Sequence, residues 1–469
     1  MKKTTFGVIV GNRGFFPDAL AKDGRKNVLD VLKKNGYNVV TLSMQDTKYG
    51  AVETYEDAKK CAELFARKSS AIDGVIVTLP NFGDEKGVAE TIKRSGLDVP
   101  VLIHAEPDTQ GKMTIADRRD SFCGKISVCN NLRQAGVPYT LTTSHTVEVG
   151  SAQFKKELDD FASVCRIIRG LKNVRFGAIG ARTGAFNTVR YSEKILELYG
   201  IGIETIDLSE ILGRVARLGD KDRAVKNKLN AIKGYVPTEA VPDDLLLRMA
   251  KFGCVVDRWI KDNELDGTAI QCWTSLEEFF GITPCALMSM MSENLLPSAC
   301  EVDITGLLGM YILQLAADGS PSALLDWNNN YGDDPNKCVL FHCSNIPRSF
   351  LKQPKMDYQE IIAGAVGKEN TYGTVVGRIA AGDATFCRTS TDDADGVISV
   401  YVGEARFTND KLNTFGGYGV MEIPNLQVLM QYICRAGFEH HVAVNMCRKA
   451  DAIAEALDTY MGWEVYQHK

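Results

Sequence analysis

Residues 5–11 (TFGVIVG) and 18–36 (DALAKDGRKNVLDVLKKNG) form the unit that decides the fold. The first segment is a continuous apolar run of strand length. The second places apolar residues at helical spacing and ends on Gly36, a residue typical of helix C-termini. The same strand–helix unit recurs up to residue 144. Apolar strands separated by helices indicate a parallel sheet covered on both faces, with right-handed crossovers, which is a doubly wound α/β domain.

The rest of the chain repeats this pattern and then changes it. A predicted helix at residues 151–171 leads into a second strand–helix alternation. From Asp333 onward, β-branched residues predict antiparallel strands, and a closing helix is predicted over residues 442–462. The predicted fold class is α/β, with two successive doubly wound parallel α/β domains followed by a β-rich, antiparallel barrel-like C-terminal domain. The predicted domains are residues 1–165, residues 166–330 and residues 331–469. The second carries Glu301 and Asp326, the first candidate metal ligands, and the third includes the final helix.

Length and composition restrict the class of protein. A chain of 469 residues is long enough for about three domains of roughly 150 residues. A net charge of -5 predicts no nucleic-acid partner, because no basic excess is available to neutralise phosphates. The short apolar run after the first lysines predicts no secretory signal. No apolar stretch reaches about 18 residues, so we expect no membrane partner and a cytoplasmic location.

The thirteen cysteines are spread singly through apolar segments, without a CxxC pair. This spacing is typical of reduced, mostly buried thiols in a large cytosolic enzyme. Because zinc–cysteine sites use closely spaced ligand pairs, the sequence predicts no such site.

The segment between Cys300 and Asn345 contains three side chains suited to a divalent metal, namely Glu301, Asp326 and His342. Each interrupts a run of apolar or small residues. Carboxylates and imidazoles are costly among apolar neighbours unless they are paired or bound to a metal. The segment therefore predicts a metal site, at which a carboxylate or a water molecule could move a proton.

Further nitrogen ligands are available in the adjacent pair His440 and His441. Together with the two carboxylates they form a mixed oxygen and nitrogen set. Such a set with an open position favours Mn²⁺, or another divalent first-row metal, whereas thiolates would favour zinc.

Each of these residues also has a structural interpretation. Glu301 could cap the following helix or pair with an arginine, and Asp326 could form a turn. His342 could be a core histidine, and His440 and His441 could cap the last helix. Their combination favours the metal site over four separate structural roles.

Gln271 and Trp273 come at the end of a predicted buried strand, residues 268–273 (TAIQCW). Polar groups at the carboxyl end of a parallel strand often line a site, so we predict that both contact the substrate. A helix start at Thr274 or Ser275 is the structural alternative.

The order of these residues resembles that of the L-fucose/L-arabinose isomerase superfamily. The shared features are a glutamate after the second α/β layer, an acid 25 positions later, a histidine in a strand and a late histidine. The opening GVIVGNRGFFPDALAKDGRKNV (residues 7–28) is similar to the start of fucose isomerases. The resemblance covers essentially the whole chain and implies a three-domain aldose–ketose isomerase, an intramolecular oxidoreductase of carbohydrate metabolism.

The resemblance also implies residue roles. Mn²⁺ would bind O1 and O2 of an open-chain sugar such as L-fucose, D-arabinose or L-arabinose, and a carboxylate would move a proton through an enediol. Glu301 and Asp326 match the two metal-ligating acids that move protons. One of His440 or His441 matches the late histidine ligand, and His342 matches the extra histidine of the arabinose branch.

Members of the superfamily are homo-oligomers, trimers or hexamers, in which a loop of a neighbouring N-terminal domain helps to close the pocket. Asn12, Arg13 and Phe15 lie in the loop after the first predicted strand. The resemblance therefore makes Asn12 and Arg13 predicted substrate-binding residues.

Three alternatives stay open. An isomerase of a sulfonated or otherwise anionic sugar, such as sulfoquinovose, would use the same metal site and add a basic pocket. Candidates for that pocket are Arg182, Arg348, Arg378 and Arg388. A non-catalytic sugar-binding or sensor protein could also contain two α/β layers, and a metal-dependent lyase or aldolase shares the enediolate chemistry.

Overall fold

The computed structural model describes residues 3–469. Met1 and Lys2, which begin the predicted N-terminal domain and the segment expected to lack a secretory signal, lie outside the described residues. The chain divides into two compact units. The first comprises the described residues up to Arg169 together with Glu455–Gly462, and the second comprises Gly170–Ala454 and Trp463–Lys469.

The first unit is built on a five-stranded parallel sheet. Its strands are β1 (Thr5–Val10), β2 (Asn38–Val40), β3 (Gly74–Leu79), β4 (Val101–Ala105) and β5 (Thr140–Leu141). Its helices are α1 (Asp18–Lys34), α2 (Tyr55–Arg67), α3 (Glu85–Ser95), α4 (Ser121–Gln134) and α5 (Ala152–Leu171). The strand order is β2–β1–β3–β4–β5, and β1, β3 and β4 are buried throughout, which explains their continuous apolar sequences.

The second unit begins with a four-stranded parallel sheet of order β7–β6–β8–β9. These strands are β6 (Val174–Ile179), β7 (Ile201–Ile206), β8 (Gly267–Ile270) and β9 (Ser298–Cys300). The accompanying helices are α6 (Glu193–Leu198), α7 (Leu208–Val215), α8 (Arg223–Lys233), α9 (Asp243–Asp262), α10 (Ser275–Phe280), α11 (Cys285–Glu293) and α12 (Ile304–Ala316). The second α/β alternation predicted from the sequence is thus present.

A nine-stranded mixed sheet follows in the same unit. Its strands are β10 (Ser322–Asn330), β11 (Lys337–His342), β12 (Leu351–Tyr358), β13 (Tyr372–Ile379), β14 (Gly382–Asp392), β15 (Val397–Phe407), β16 (Gly417–Glu422), β17 (His441–Asn445) and β18 (Glu464–His468). Six of them close into an antiparallel ring, β16–β11–β10–β17–β14–β15, because β15 also pairs with β16. The remaining helices are α13 (Glu360–Val366), α14 (Leu426–Ala436) and α15 (Ala450–Glu455). The predicted fold class, with its barrel-like C-terminal part, is confirmed.

The closing helix predicted over residues 442–462 is wrong in its first part. His441–Asn445 form β17, a fully buried strand between β10 and β14. The helix begins only at Ala450 and continues as a π-helical segment, Ala456–Tyr460. Pairing on both edges favours a strand for the valine-rich segment, so tertiary contacts outweigh the helical pattern that follows it.

Helix α12 connects the parallel sheet to the barrel. It is buried over almost its whole length and lies against β10, β14 and β17. Its N-terminus therefore stands next to the strands that carry Asp326 and His441. None of the helices in residues 3–469 is long and apolar enough to span a lipid bilayer.

Candidate active site

Glu301 lies in a sharp turn between β9 and α12. Glu301 and Val302 both adopt left-handed backbone conformations, with φ of 62° and 58°. Such conformations cost about 1–3 kcal/mol each in residues other than glycine, and they cluster at functional sites. Asp303 then caps α12, because its Oδ1 accepts a 2.8 Å hydrogen bond from the Gly306 N–H. The turn places the buried Glu301 at the carboxyl end of a parallel strand.

Asp326 of β10 and His441 of β17 are direct partners on neighbouring antiparallel strands. Directly opposed residues project to the same face of a sheet, so their side chains meet. The Nε2 atom of His441 lies 3.3 Å from Oδ1 of Asp326 and 3.6 Å from Oε2 of Glu301. The structure therefore brings together both predicted acids and one of the two late histidines.

A buried ion-pair network lies behind His441. The Nδ1–H of His441 donates a 2.7 Å hydrogen bond to Oδ2 of Asp303. Arg388 donates to both Asp303 oxygens, at 2.5 and 3.0 Å, and its Nε donates to Glu439 at 3.1 Å. Although burial alone would raise it, these partners hold the pKa of Asp303 well below its usual range. An ionised Asp303 fixes a proton of His441 on Nδ1. Although burial alone would lower it, Asp303, Glu301 and Asp326 raise the pKa of His441, so a cation at Nε2 would take the place of a proton there.

His440 and His342 flank this pair. Nε2 of His440 lies 3.5 Å from Oδ1 of Asp326, and the His440 and His441 rings are 4.2 Å apart. The His342 ring is buried and lies 6.0 Å from the His441 ring. All five predicted metal-site residues therefore belong to one cluster, in which His441 is fully buried and His440 is partly exposed.

Burial determines much of the titration of this cluster. It raises the pKa of Glu301 to about 7 and also raises the pKa of Asp326. It lowers the pKa of His440 to about 4, so this imidazole is neutral at neutral pH. Burial would also lower the pKa of His342, but Cys343 and the two carboxylates outweigh it and raise that pKa to about 9.

The donor atoms of the cluster fit a divalent cation. Oε2 of Glu301 and Nε2 of His441 are buried, and neither has a hydrogen-bond partner among residues 3–469. Ligand atoms of Glu301, His440 and His441 lie within 4.8 Å of one another, as do those of Asp326, His342 and His441. Buried polar atoms without partners are costly, and a cation bound by oxygen and nitrogen would satisfy them.

Gln271 and Trp273 lie at the carboxyl end of β8, where the sequence predicted them. Gln271 accepts a 2.9 Å hydrogen bond from the Ala181 N–H, which ties it to the loop after β6. In that loop the Phe186 ring lies 5.6 Å from the Trp273 ring and 5.7 Å from the His440 ring. The loop therefore links these residues to the histidine pair, and their contact with substrate stays a prediction.

Asn12 and Arg13 belong to the first unit, in the loop after β1. Asn12 is buried and donates a 2.7 Å hydrogen bond to Glu53, whereas Arg13 bonds to the Gly83 carbonyl and pairs with Glu85. These contacts hold the loop within its own unit. A substrate-binding role for either residue stays a prediction.

The sequence reasoning missed Asp303 and treated Arg388 only as a possible anion ligand. Asp303 follows Glu301 by two residues, so a second acid in the same segment was a usable signal. Arg388 interrupts the apolar strand β14, as Asp326 interrupts β10. Asp303 and Arg388 are both fully buried, and each has the ionic partners that buried charges require.

Two protein-family models match the chain. The model for the fucose/sulfoquinovose isomerase N-terminal domain matches residues 7–172. The model for the L-fucose isomerase C-terminal domain matches residues 340–469, which include His342, His440 and His441. Together the two matches cover more than half of the chain.

The similar proteins found by sequence are named sulfoquinovose isomerase. A sulfoquinovose isomerase from Alkalicoccus urumqiensis is 24% identical over 379 residues, which cover 80% of this chain and 82% of that protein. Sulfoquinovose isomerases from Priestia aryabhattai and Priestia megaterium are each 23% identical over 350 residues, or 73% of both chains. These similarities extend well beyond a single domain.

Proposed function

Because this chain belongs to the fucose isomerase-like superfamily of aldose–ketose isomerases, we propose that its substrate is a sulfonated sugar of the sulfoquinovose type. The names of its relatives favour this substrate over the neutral sugars L-fucose, D-arabinose and L-arabinose. The observation that carries the reaction itself is the cluster of the buried Glu301 and the partly exposed Asp326 around Nε2 of His441. An isomerase needs such acids to move a proton, whereas a sugar sensor does not.

The proposed cofactor is Mn²⁺, with another divalent first-row metal as the alternative. Glu301, Asp326 and His441 would hold it, with His342 or His440 as a further ligand. When bound, such a cation supplies Lewis-acid stabilisation of negative charge on the sugar oxygens. The unpartnered buried atoms of Glu301 and His441 support this assignment.

The two acids are also the groups that would move the proton. One carboxylate removes the proton at C2 of the open-chain aldose, and a proton is returned to C1 to give the ketose. Before a cation binds, burial raises the pKa of Glu301 to about 7, and a bound cation would keep this carboxylate ionised. The neutral His440, at the more exposed edge of the cluster, is suited to bond a sugar hydroxyl.

One guanidinium without an acidic partner among residues 3–469, on the loop after β6, supports an anionic substrate. Of the four arginines considered from the sequence, Arg388 is buried in its ion pairs and Arg348 lies against Tyr235. Arg378 donates to the Thr408 and Asp410 carbonyls. Arg182 lies on the loop after β6 that carries Phe186.

Arg182 donates only to the Thr183 and Phe186 carbonyls, and no carboxylate among residues 3–469 pairs with it. Arg182 also lines a cavity of about 620 Å³ together with Arg190. The acids Asp392, Asp393 and Glu439 line the same cavity, and Glu439 shares Arg388 with Asp303, so the proposal rests on the Arg182 guanidinium and not on the charge of the cavity. A planar guanidinium without an acidic partner is suited to bind a sulfonate through two hydrogen bonds.

Assembly and location are part of the proposal. We expect a trimer or hexamer and a cytoplasmic protein, as the resemblance and composition imply. Size-exclusion chromatography with light scattering would measure the oligomer directly.

The deciding experiment strips the protein with a chelator, restores Mn²⁺ and compares sulfoquinovose with neutral aldoses. We expect ketose formation with solvent deuterium incorporated into the product, and at least tenfold higher kcat/KM for the sulfonated sugar. Glu301→Gln and Asp326→Asn should lose both Mn²⁺ binding and turnover. Glu210→Gln, which changes an exposed acid of α7, is the matched control. Full activity in both site variants would disprove the reaction mechanism.

Substrate charge is tested separately with Arg182→Met. A hydrogen bond to a charged group contributes about 1.5–3 kcal/mol, so KM for the sulfonated sugar should rise by about 10- to 100-fold. Activity on a neutral aldose should change little, and Arg217→Met, at an exposed arginine, should change neither. An equal effect of Arg182→Met on both sugars would remove the sulfonate role.

A further inference from the structure

Four cysteines that are distant in the sequence converge behind the candidate active site. Cys272 follows β8, Cys285 begins α11, Cys300 ends β9 and Cys343 follows β11. All four are buried. The Sγ atoms of Cys272 and Cys300 are 2.7 Å apart, and those of Cys285, Cys300 and Cys343 lie within 4.8 Å of one another. The sequence predicted no zinc–cysteine site because the spacing along the chain lacks a pair, but the fold assembles these ligands from separate elements.

An unpartnered carboxylate stands near these thiols. Glu277 of α10 is buried, and neither of its side-chain oxygens has a hydrogen-bond partner among residues 3–469. Burial, with a smaller contribution from Cys343, raises the pKa of Glu277 to about 8, so this carboxyl group is mostly protonated at neutral pH. The region therefore combines sulfur donors with a buried carboxyl group that has no hydrogen-bond partner among residues 3–469.

The arrangement fits the ligand preference of thiophilic d¹⁰ cations. Zinc in structural sites takes four ligands in a tetrahedron, commonly three or four cysteine sulfurs at about 2.3 Å, which places the sulfurs about 3.8 Å apart. Separations within 4.8 Å need only small side-chain adjustments to reach that geometry. Cys61 and Cys387 are also buried, but within the described chain they belong to no such group.

We propose that Cys285, Cys300 and Cys343, with Cys272 as the fourth ligand, form a second cation site for a thiophilic ion such as Zn²⁺ or Cd²⁺. Each thiol that binds the ion releases its proton to solvent. Its sulfur ligands differ in kind from the oxygen and nitrogen ligands of the candidate active site, but the two sets adjoin. A Glu301 oxygen lies within 4.8 Å of the Cys272 and Cys300 Sγ atoms, and Cys343 follows His342 in the chain. The proposal does not depend on which sugar the protein converts.

The first test titrates Cd²⁺ into the fully reduced protein in the presence of saturating Mn²⁺. We expect an ultraviolet sulfur-to-cadmium charge-transfer band that saturates at one equivalent. Cys285→Ser and Cys343→Ser should abolish the band, whereas Cys61→Ser, at a buried thiol outside the cluster, should retain it. Glu301→Gln should also retain it, which separates this site from the candidate active site. A band that persists in both cluster variants would overturn the proposal.

A second measurement needs no variant and therefore does not depend on how well the variants fold. X-ray absorption of wild-type protein with saturating Mn²⁺ and one equivalent of Zn²⁺ should show three or four sulfur neighbours at about 2.3 Å. A zinc shell of oxygen and nitrogen alone would overturn the proposal. So would non-reducing peptide mapping that finds Cys272 and Cys300 joined as a disulfide in the freshly purified protein.

Discussion

Replacing Asp303 with asparagine tests whether the buried network orients His441 for a metal. Asparagine has nearly the same shape, but it lacks the charge that keeps the His441 proton on Nδ1. Loss of a partner that orients a ligating histidine typically lowers metal affinity by about 10- to 100-fold, or about 1.4–2.7 kcal/mol. We expect the Mn²⁺ affinity of Asp303→Asn to fall within that range.

The same substitution should destabilise the fold by a predictable amount. Removing one partner of a buried ion pair costs about 3–5 kcal/mol. Arg388 donates to both oxygens of Asp303 but also retains Glu439. The remaining partner keeps the arginine from being fully unpaired, so we expect a loss near the lower end, about 3 kcal/mol.

Mn²⁺ affinity is measured by electron paramagnetic resonance of the free ion, and folding by circular dichroism and chemical unfolding of the metal-free protein. Asp73→Asn is the matched control, because Asp73 is a buried acid of the first unit that pairs with Arg169. That variant should lose stability and keep its Mn²⁺ affinity. If folded Asp303→Asn binds Mn²⁺ as tightly as the wild type, then Asp303 does not orient a ligand.

Two further predictions concern protons and the first unit. Mn²⁺ affinity should rise with pH between about 6 and 9, because Glu301, with a pKa of about 7, and His342, with a pKa of about 9, must lose protons before they can bind the ion. Calorimetry at several pH values checks this, and a flat profile would contradict it. Arg13→Ala should raise KM about tenfold if this loop closes the pocket, since a charged hydrogen bond contributes about 1.5 kcal/mol or more. Arg67→Ala, at an exposed position of α2, is the control, and unchanged kinetics for Arg13→Ala would rule the role out.

Much of the fold followed from local patterns. Strands such as β1 and β3 are buried on both faces, so they appear in the sequence as uninterrupted apolar runs. Residues 442–445 of strand β17 were predicted as helix, because they are adjacent to a helical pattern and their pairing partners come from β10 and β14. Short segments of this kind take their conformation from neighbours that local sequence does not identify.

For the site, the types of ligand could be predicted and their arrangement could not. Glu301, Asp326 and the histidine pair were identifiable because charged or titratable groups are unusual in apolar segments. The choice of His441 as the inward residue depends on its register opposite Asp326. A shift by one position would turn its side chain to the other face of the sheet.

The sequence by itself determined the alternation of strands and helices and the presence of acids and imidazoles suited to a divalent cation. Only the tertiary structure decided that Asp303 and Arg388 stand behind His441, and that four single cysteines converge beside Glu301. The physical reason is that apolar periodicity is a local property of the chain. Contacts across a closed barrel join residues far apart in the sequence, and the spacing of residues along the chain does not predict such contacts.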